Sequence, residues 1–244
     1  MAPGDSIEGP ATVERSVTHD LARLALVMAR KFNAGGTLWC ASAAWPYHAH
    51  HVAVEFVHPV IMGKRALSAV ALDASADLAD ALRISVRSGD MVLLLAGVDD
   101  AEAIDVFRRG AAWGVETIWV GAGRRRPPSG IANQVLWIDE DDGLAASEDF
   151  VRLYHLLWEL THVVFEHPGM LKEPQLCQED VCITCSDEGR WAEVEAVEGD
   201  EAVVRTANGR ERIDVSLIAG PTGNDLVLIH AGFAIAKAAE AVLL

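Results

Sequence analysis

The chain has 244 residues, 51% of them hydrophobic, which is enough for one large or two modest domains and too apolar for a disordered chain. Thirty-six acidic against twenty basic residues leave a net charge of −16. This excludes the basic face that nucleic acid or an anionic membrane requires. The opening residues lack the basic start and apolar run of a signal peptide, and no later apolar stretch is long enough to span a bilayer. A cytoplasmic protein with reduced thiols is expected.

Residues 1–15, rich in Pro, Gly and small polar types, read as a flexible tail. From Ser16, Leu21, Leu24, Ala25, Met28 and Phe32 recur at helical spacing until Ala34-Gly35-Gly36 ends the run. Thr37 to Ala41 predicts a short strand, and Pro46 opens a helix that reaches His58. A strand over Leu67 to Leu72 and a helix from near Ser75 follow. Met91 to Ala96 is an almost pure apolar run, as a central parallel strand covered on both faces should be. Asp99 or Asp100 can cap the next helix, through Gly110, and Val115 to Val120 and Gln134 to Ile138 supply two more strands. Arg124, Arg125 and Arg126, followed by two prolines, read as a solvated loop. A long amphipathic helix from about Leu144 to Glu166 closes the first domain, residues 16–168.

This alternation predicts a doubly wound α/β fold with a parallel five-stranded sheet, whose ligands sit at the carboxyl ends of the strands. Residues 169–178 read as a linker. Beyond them, Trp191 to Val197, Glu201 to Thr206 and Glu211 to Val215 alternate in the strand manner, with Asn208-Gly209 as a hairpin signal. Leu226 to Ile229 is a fourth strand, and Gly232 to Leu244 reads as an apolar-faced helix. Residues 179–244 are therefore expected to form a small OB-like β-barrel with a C-terminal helix.

Cys177, Cys182 and Cys185 fall within nine residues, flanked by Asp180, Asp187 and Glu188. Thiolates this close can converge on a soft metal. A structural zinc site lacks an evident fourth ligand, and a disulfide lacks an oxidising compartment. An open site that handles a metal transiently is the sharper expectation. His48, His50, His51 and His58 crowd one helix, either as metal ligands or as a solvated polar face. His51 and Glu55, at i and i+4, share a helical face and can reach one ion.

Two resemblances follow from these residues. Glu198 to Val204, Asp214 to Ile218, and above all Leu228-Ile229-His230-Ala231-Gly232-Phe233-Ala234-Ile235 resemble the HypC/HupF family of [NiFe]-hydrogenase maturation chaperones. The resemblance implies a metallochaperone that takes an iron unit carrying cyanide and carbonyl ligands from a HypD-type scaffold to the hydrogenase large-subunit precursor. It implies Cys185, then Cys182, as the iron ligand, with Cys177 a further candidate and His230 nearby. Here the cysteine is internal, and Glu188-Gly189 replaces the family's Pro-Gly.

Residues 16 to 166 resemble the SIS (sugar-isomerase) domain, in particular the phosphoheptose isomerases, through Ala34 to Leu38, His51-Val52-Ala53-Val54-Glu55, Glu148, and His155 to Leu160. This implies a homodimer, metal ligands and an acid/base pair among His51, Glu55 and His155, and a second metal that could be iron, nickel or zinc. The family's glycine-rich phosphate loop is replaced by Ala41-Ser42-Ala43-Ala44-Trp45, its second loop by Leu95 to Asp100, and a further ligand position by Ser147. A phosphate dianion needs free amides and hydroxyls there. The leading expectation is therefore a hydrogenase maturation factor whose SIS-like domain has lost isomerisation. The alternatives are a sugar-phosphate isomerase or other metal-dependent enzyme centred on that domain, or a domain that only dimerises the chain.

Overall fold

The structure, a computed structural model, describes residues 11–73, 77–140, 143–172 and 189–238. The elements run α1 (Ala11–Asn33), β1 (Leu38–Ala41), α2 (Pro46–Val57), β2 (Ala69–Ala71), α3 (Leu78–Ser85), β3 (Met91–Leu95), α4 (Ala101–Trp113), β4 (Glu116–Ala122), β5 (Gln134–Ile138), α5 (Gly143–Glu166) and α6 (Pro168–Leu171). The barrel strands follow as β6 (Arg190–Glu198), β7 (Glu201–Thr206), β8 (Gly209–Asp214), β9 (Leu226–His230) and β10 (Phe233–Lys237).

The first five strands form one parallel sheet in the order β2-β1-β3-β4-β5. All five residues of β3 are buried. Met91, Leu93 and Leu95 pack with α1, α2 and α5, while Val92 and Leu94 pack with α3 and α4 on the other face. Each such side chain contributes about 1.5–3 kcal/mol of burial. The alternating faces fix the strand's register, because a slip by one residue would exchange the two cores. Asp90 pins the amino end of the sheet. Its buried carboxylate accepts from the Thr37 and Arg87 backbone N–H groups and from the Trp39 indole, at 2.9–3.0 Å.

Helix boundaries follow local chemistry. Pro46 occupies the first turn of α2, and Asp77 and Asp100 cap α3 and α4 through the Asp80 and Ala103 amides. α4 continues past Gly110, the expected end, to Trp113. A Cβ at Gly110 would lie 2.3 Å from Thr117 Cγ2, so that glycine serves close helix-to-strand packing, and Gly114, in the left-handed conformation, ends the helix instead.

Three other expectations are corrected. Residues 11–15, assigned to the tail, are the first turns of α1; residues 1–10 lie outside the described residues. Across the expected boundary between domain and linker, Pro168–Leu171 form a short helix, anchored where Arg30 donates to the carbonyls of Met170 and Lys172. The expected C-terminal helix is a strand over Phe233–Lys237, paired with β9 and, at Phe233, in parallel with β8. Ala-rich sequence suits a helix, but these residues complete the hydrogen bonding of a closed barrel ordered β10-β8-β7-β6-β9. Residues 239–244 lie outside the described residues.

The barrel encloses its own small core, including Val194, Val204, Ile213, Val227 and Ile229, and rests on α4. Glu193 of β6 is an acidic side chain only 2% exposed. Its carboxylate accepts from Arg109 Nη1 and Trp113 Nε1, both at 2.7 Å, and Arg109 also donates to Asp105 and to the Asn224 carbonyl. Arg205 of β7 lies over the Trp113 ring and donates to the carbonyls of Arg83 and Val86. Breaking a buried pair from one side strands the other charge. Arg109→Met is expected to cost about 3–5 kcal/mol in urea unfolding. A cost below roughly 1 kcal/mol, the range of exposed pairs, would show that this contact does not hold the barrel.

Candidate metal centre

α2 follows β1 and α5 follows β5, yet both cover the same face of the sheet and touch. Their contact brings together three side chains distant in sequence. His51 Nε2 lies 3.1 Å from Glu55 Oε1, His155 Nε2 lies 3.2 Å from the same oxygen, and the two imidazole nitrogens are 3.4 Å apart. Among the described residues this is the group of three such donors close enough to share an ion. Glu55 is mostly buried at 17% side-chain exposure, whereas His155, at 46%, faces solvent.

Behind the triangle lies a second layer. The Tyr154 hydroxyl is 2.7 Å from His51 Nδ1 and 3.4 Å from Nδ1 of His48, which is buried. Burial, and then the charge of His51, hold His48 below the ordinary histidine range, so it stays neutral and able to accept. When Nδ1–H of His51 donates to Tyr154, and Tyr154 to His48, the His51 Nε2 lone pair is left facing Glu55. That tautomer is the one a metal ligand needs.

The four histidines of α2 and its approach thus divide. His51 joins the triangle, His48 supports it, His50 pairs with Asp73 at 2.8 Å, and His58 ends the helix through its backbone N–H. Glu148 stands exposed on α5, outside the triangle. Cys177, Cys182 and Cys185 lie outside the described residues, as does the side chain of Ser147. His230 is the exposed last residue of β9, opposite Phe233 across a turn formed by Ala231 and Gly232, both at positive φ. The remaining cysteine, Cys40, is fully buried, and burial pushes its thiol far up, so it is inert. Tyr154 was absent from the residues picked out by sequence. The signal was present: it shares the buried face of α5 with Phe150, Leu153 and Leu157, where a hydroxyl needs a partner.

The crevice between the carboxyl ends of β1 and β3, where the strand order reverses, is where such sheets bind ligands. Here Ser42 is buried, donates to the Leu95 carbonyl and accepts the Trp45 N–H, tying the two loops together. Trp45 packs on Phe150 with ring centroids 5.2 Å apart. Asp99 is paired with Arg125, and Asp100 is used as a helix cap. The Ser42 hydroxyl and the Trp45 amide, two groups a phosphate could have used, are already engaged.

No family model matches the chain, and no curated protein matches it. Among solved structures, a phosphoheptose isomerase from Francisella tularensis superposes with a TM-score of 0.53 at 16% identity, over 63% of this chain and 92% of its own. The phosphoheptose isomerase GmhA from Neisseria gonorrhoeae gives 0.52 at 17% identity, over 62% and 89%. The α/β unit has the SIS-type fold. At these identities the likeness establishes the fold alone, and the HypC/HupF resemblance rests on its sequence motifs. No described helix of this SIS-bearing chain is long and apolar enough to cross a membrane.

Burial, then the charges of Glu55 and Tyr47, push the Tyr154 phenol up to about 12. The folded state therefore keeps a proton that the unfolded chain loses near pH 10. This contribution to stability is full below pH 10 and disappears as pH rises towards 12. The chain has two tyrosines, so Tyr47→Phe leaves one reporter. Its absorbance titration at alkaline pH is expected to centre well above 10, since burial and Glu55 remain after Tyr47 is removed. A midpoint near 10, the free phenol value, would place the hydroxyl in water.

Proposed function

We propose that the SIS-type unit binds one divalent transition-metal ion (zinc, iron or nickel) through His51, Glu55 and His155, and is a metal-dependent enzyme acting on a small hydroxy-carbonyl compound. The observation that carries this reading is the donor triangle. Donors around a tetrahedral ion with bonds of about 2.0–2.1 Å stand roughly 3.3–3.4 Å apart. The triangle's edges of 3.1, 3.2 and 3.4 Å come close to that figure. Two imidazoles and one carboxylate suit these metals, and three protein ligands is the count of catalytic rather than structural zinc sites. When bound, such an ion supplies Lewis acidity towards an oxygen of the ligand.

The chain's own residues do the rest. Tyr154 orients His51, neutral His48 accepts from Tyr154, and exposed His155 leaves the centre open to a ligand. Ser42 and Trp45 occupy the place where the isomerases carry their phosphate loop, so the substrate in this reading carries no phosphate. In the background of Cys177, Cys182 and Cys185 all replaced by serine, zinc or cobalt titration should show one saturable site per chain. Alanine at His51, Glu55 or His155 should abolish it, and Tyr154→Phe should weaken it about 10–100-fold, as loss of a ligand-orienting partner does. Retention of the metal by His51→Ala and Glu55→Ala, with loss in the cysteine-free chain, would overturn this assignment.

A second reading concerns the barrel: an iron carrier for hydrogenase maturation, receiving the cyanide- and carbonyl-bearing unit on Cys185 or Cys182 from a HypD-type scaffold and passing it to a large-subunit precursor. It rests on the sequence motifs; the barrel itself has one parallel pairing, between its third and fifth strands, and carries His230 at the end of β9. Arg190 pairs with Ile229, so the chain leading from the cysteines enters β6 beside His230. Cys185 is five residues before Arg190, a reach of about 18 Å at most. Anaerobic co-purification with a HypD-type scaffold should give cyanide and carbonyl infrared bands that Cys185→Ala removes. Bands that survive the Cys182/Cys185 double alanine variant would refute the iron-carrier role.

A further inference from the structure

Where the barrel rests on α4, the seam holds a cleft of about 320 Å³, at the small end of the usual range for ligand sites. Phe107 of α4, Ile131 of the β4–β5 connection and Leu226 of β9 form its apolar walls. In a chain with 36 acidic residues, no Asp or Glu lines it among the described residues.

The polar side chains that do line it donate. Arg108 is exposed and has no partner among the described residues. Asn133 accepts the Thr117 N–H and hydroxyl on Oδ1, which assigns its amide orientation and leaves its NH₂ to donate. Trp191 supplies an indole N–H, likewise without a partner among the described residues. Of the acids close in sequence to the lining, Asp105 and Glu193 are held by Arg109, Asp225 by Lys237, and Glu116 by Gln134 and Lys31. Among the described residues none of them is paired with Arg108.

We infer that this cleft binds a small amphipathic anion, a carboxylate on a compact apolar body. The apolar part would lie against Phe107, Ile131 and Leu226, and the carboxylate would meet Arg108 with Asn133 and Trp191 as further donors. An uncharged ligand would leave the guanidinium partly desolvated and unmatched, and a cation would be repelled. Because the walls come from both units, the site exists only while the barrel is seated on α4, and its occupant would hold the two together. The inference does not depend on the metal centre.

The test is calorimetry on the full chain with octanoate and phenylacetate, each compared with its neutral amide. One saturable site is expected, with each carboxylate binding about tenfold or more tighter than its amide. Arg108→Gln should erase that difference. Ala111→Trp, at an exposed lining position on α4, should fill the cleft and abolish binding of acid and amide alike. Glu55→Ala and His155→Ala should change nothing, which separates this site from carboxylate binding to a metal. Equal binding of acid and amide, an affinity indifferent to Arg108, or no saturable binding would each overturn the inference. So would binding that appears only after deletion of residues 239–244, which would assign the cleft to the chain's own terminal residues.

Discussion

A carboxylate removed from water has to be met by charge, and Glu193 sets that condition for the whole molecule. It belongs to the barrel, but its partners Arg109 and Trp113 belong to α4, one turn apart on one helical face. Satisfying it fixes both the position and the rotation of the barrel. Arg205 can then lie on the Trp113 ring, and Ala207 comes so near the end of α4 that a Cβ at Gly114 would stand 3.0 Å from its Cα. Gly114 is thus needed twice, for its left-handed backbone and for its bareness. A buried ion pair is a weak source of net stability compared with apolar packing. Its value here is orientation, since any other seating of the barrel strands a charge.

Within the α/β unit the corresponding constraint is topological. The sheet, ordered β2-β1-β3-β4-β5, has α2 and α5 packed in one core on the same face although about a hundred residues separate them. His51 and His155 meet for that reason. Their meeting point lies on helix surfaces, apart from the crevice at the strand ends, where Ser42 links the loops after β1 and β3.

Much of this was legible in the sequence, for identifiable reasons. Met91 to Leu95 could hardly be anything but a central strand, and the spacing of His51 and Glu55 announced a shared face. His155 was reached through resemblance; no local pattern tied it to α2, because the link is a tertiary contact. Phe233 to Lys237 was misread since its alanines and large apolar residues fit a helix or a strand, and only pairing with β9 and β8 decides. The end of α4 was misplaced because Gly110 looks like a stop signal until Thr117 is seen pressed against it. Glu193 carried no mark at all. In an alternating strand it reads as one more solvent-facing acid, and its burial depends on a helix eighty residues earlier.

The distribution of charge connects the metal centre and the cleft. A net charge of −16 concentrates cations near the surface and disfavours anions, with the effect reaching about 8–10 Å at ordinary salt. That field would favour a cation at the proposed centre of His51, Glu55 and His155. It works against an anionic ligand anywhere else on the molecule. The seam between the units is the exception: among the described residues no carboxylate lines the walls, and Arg108 is unpaired.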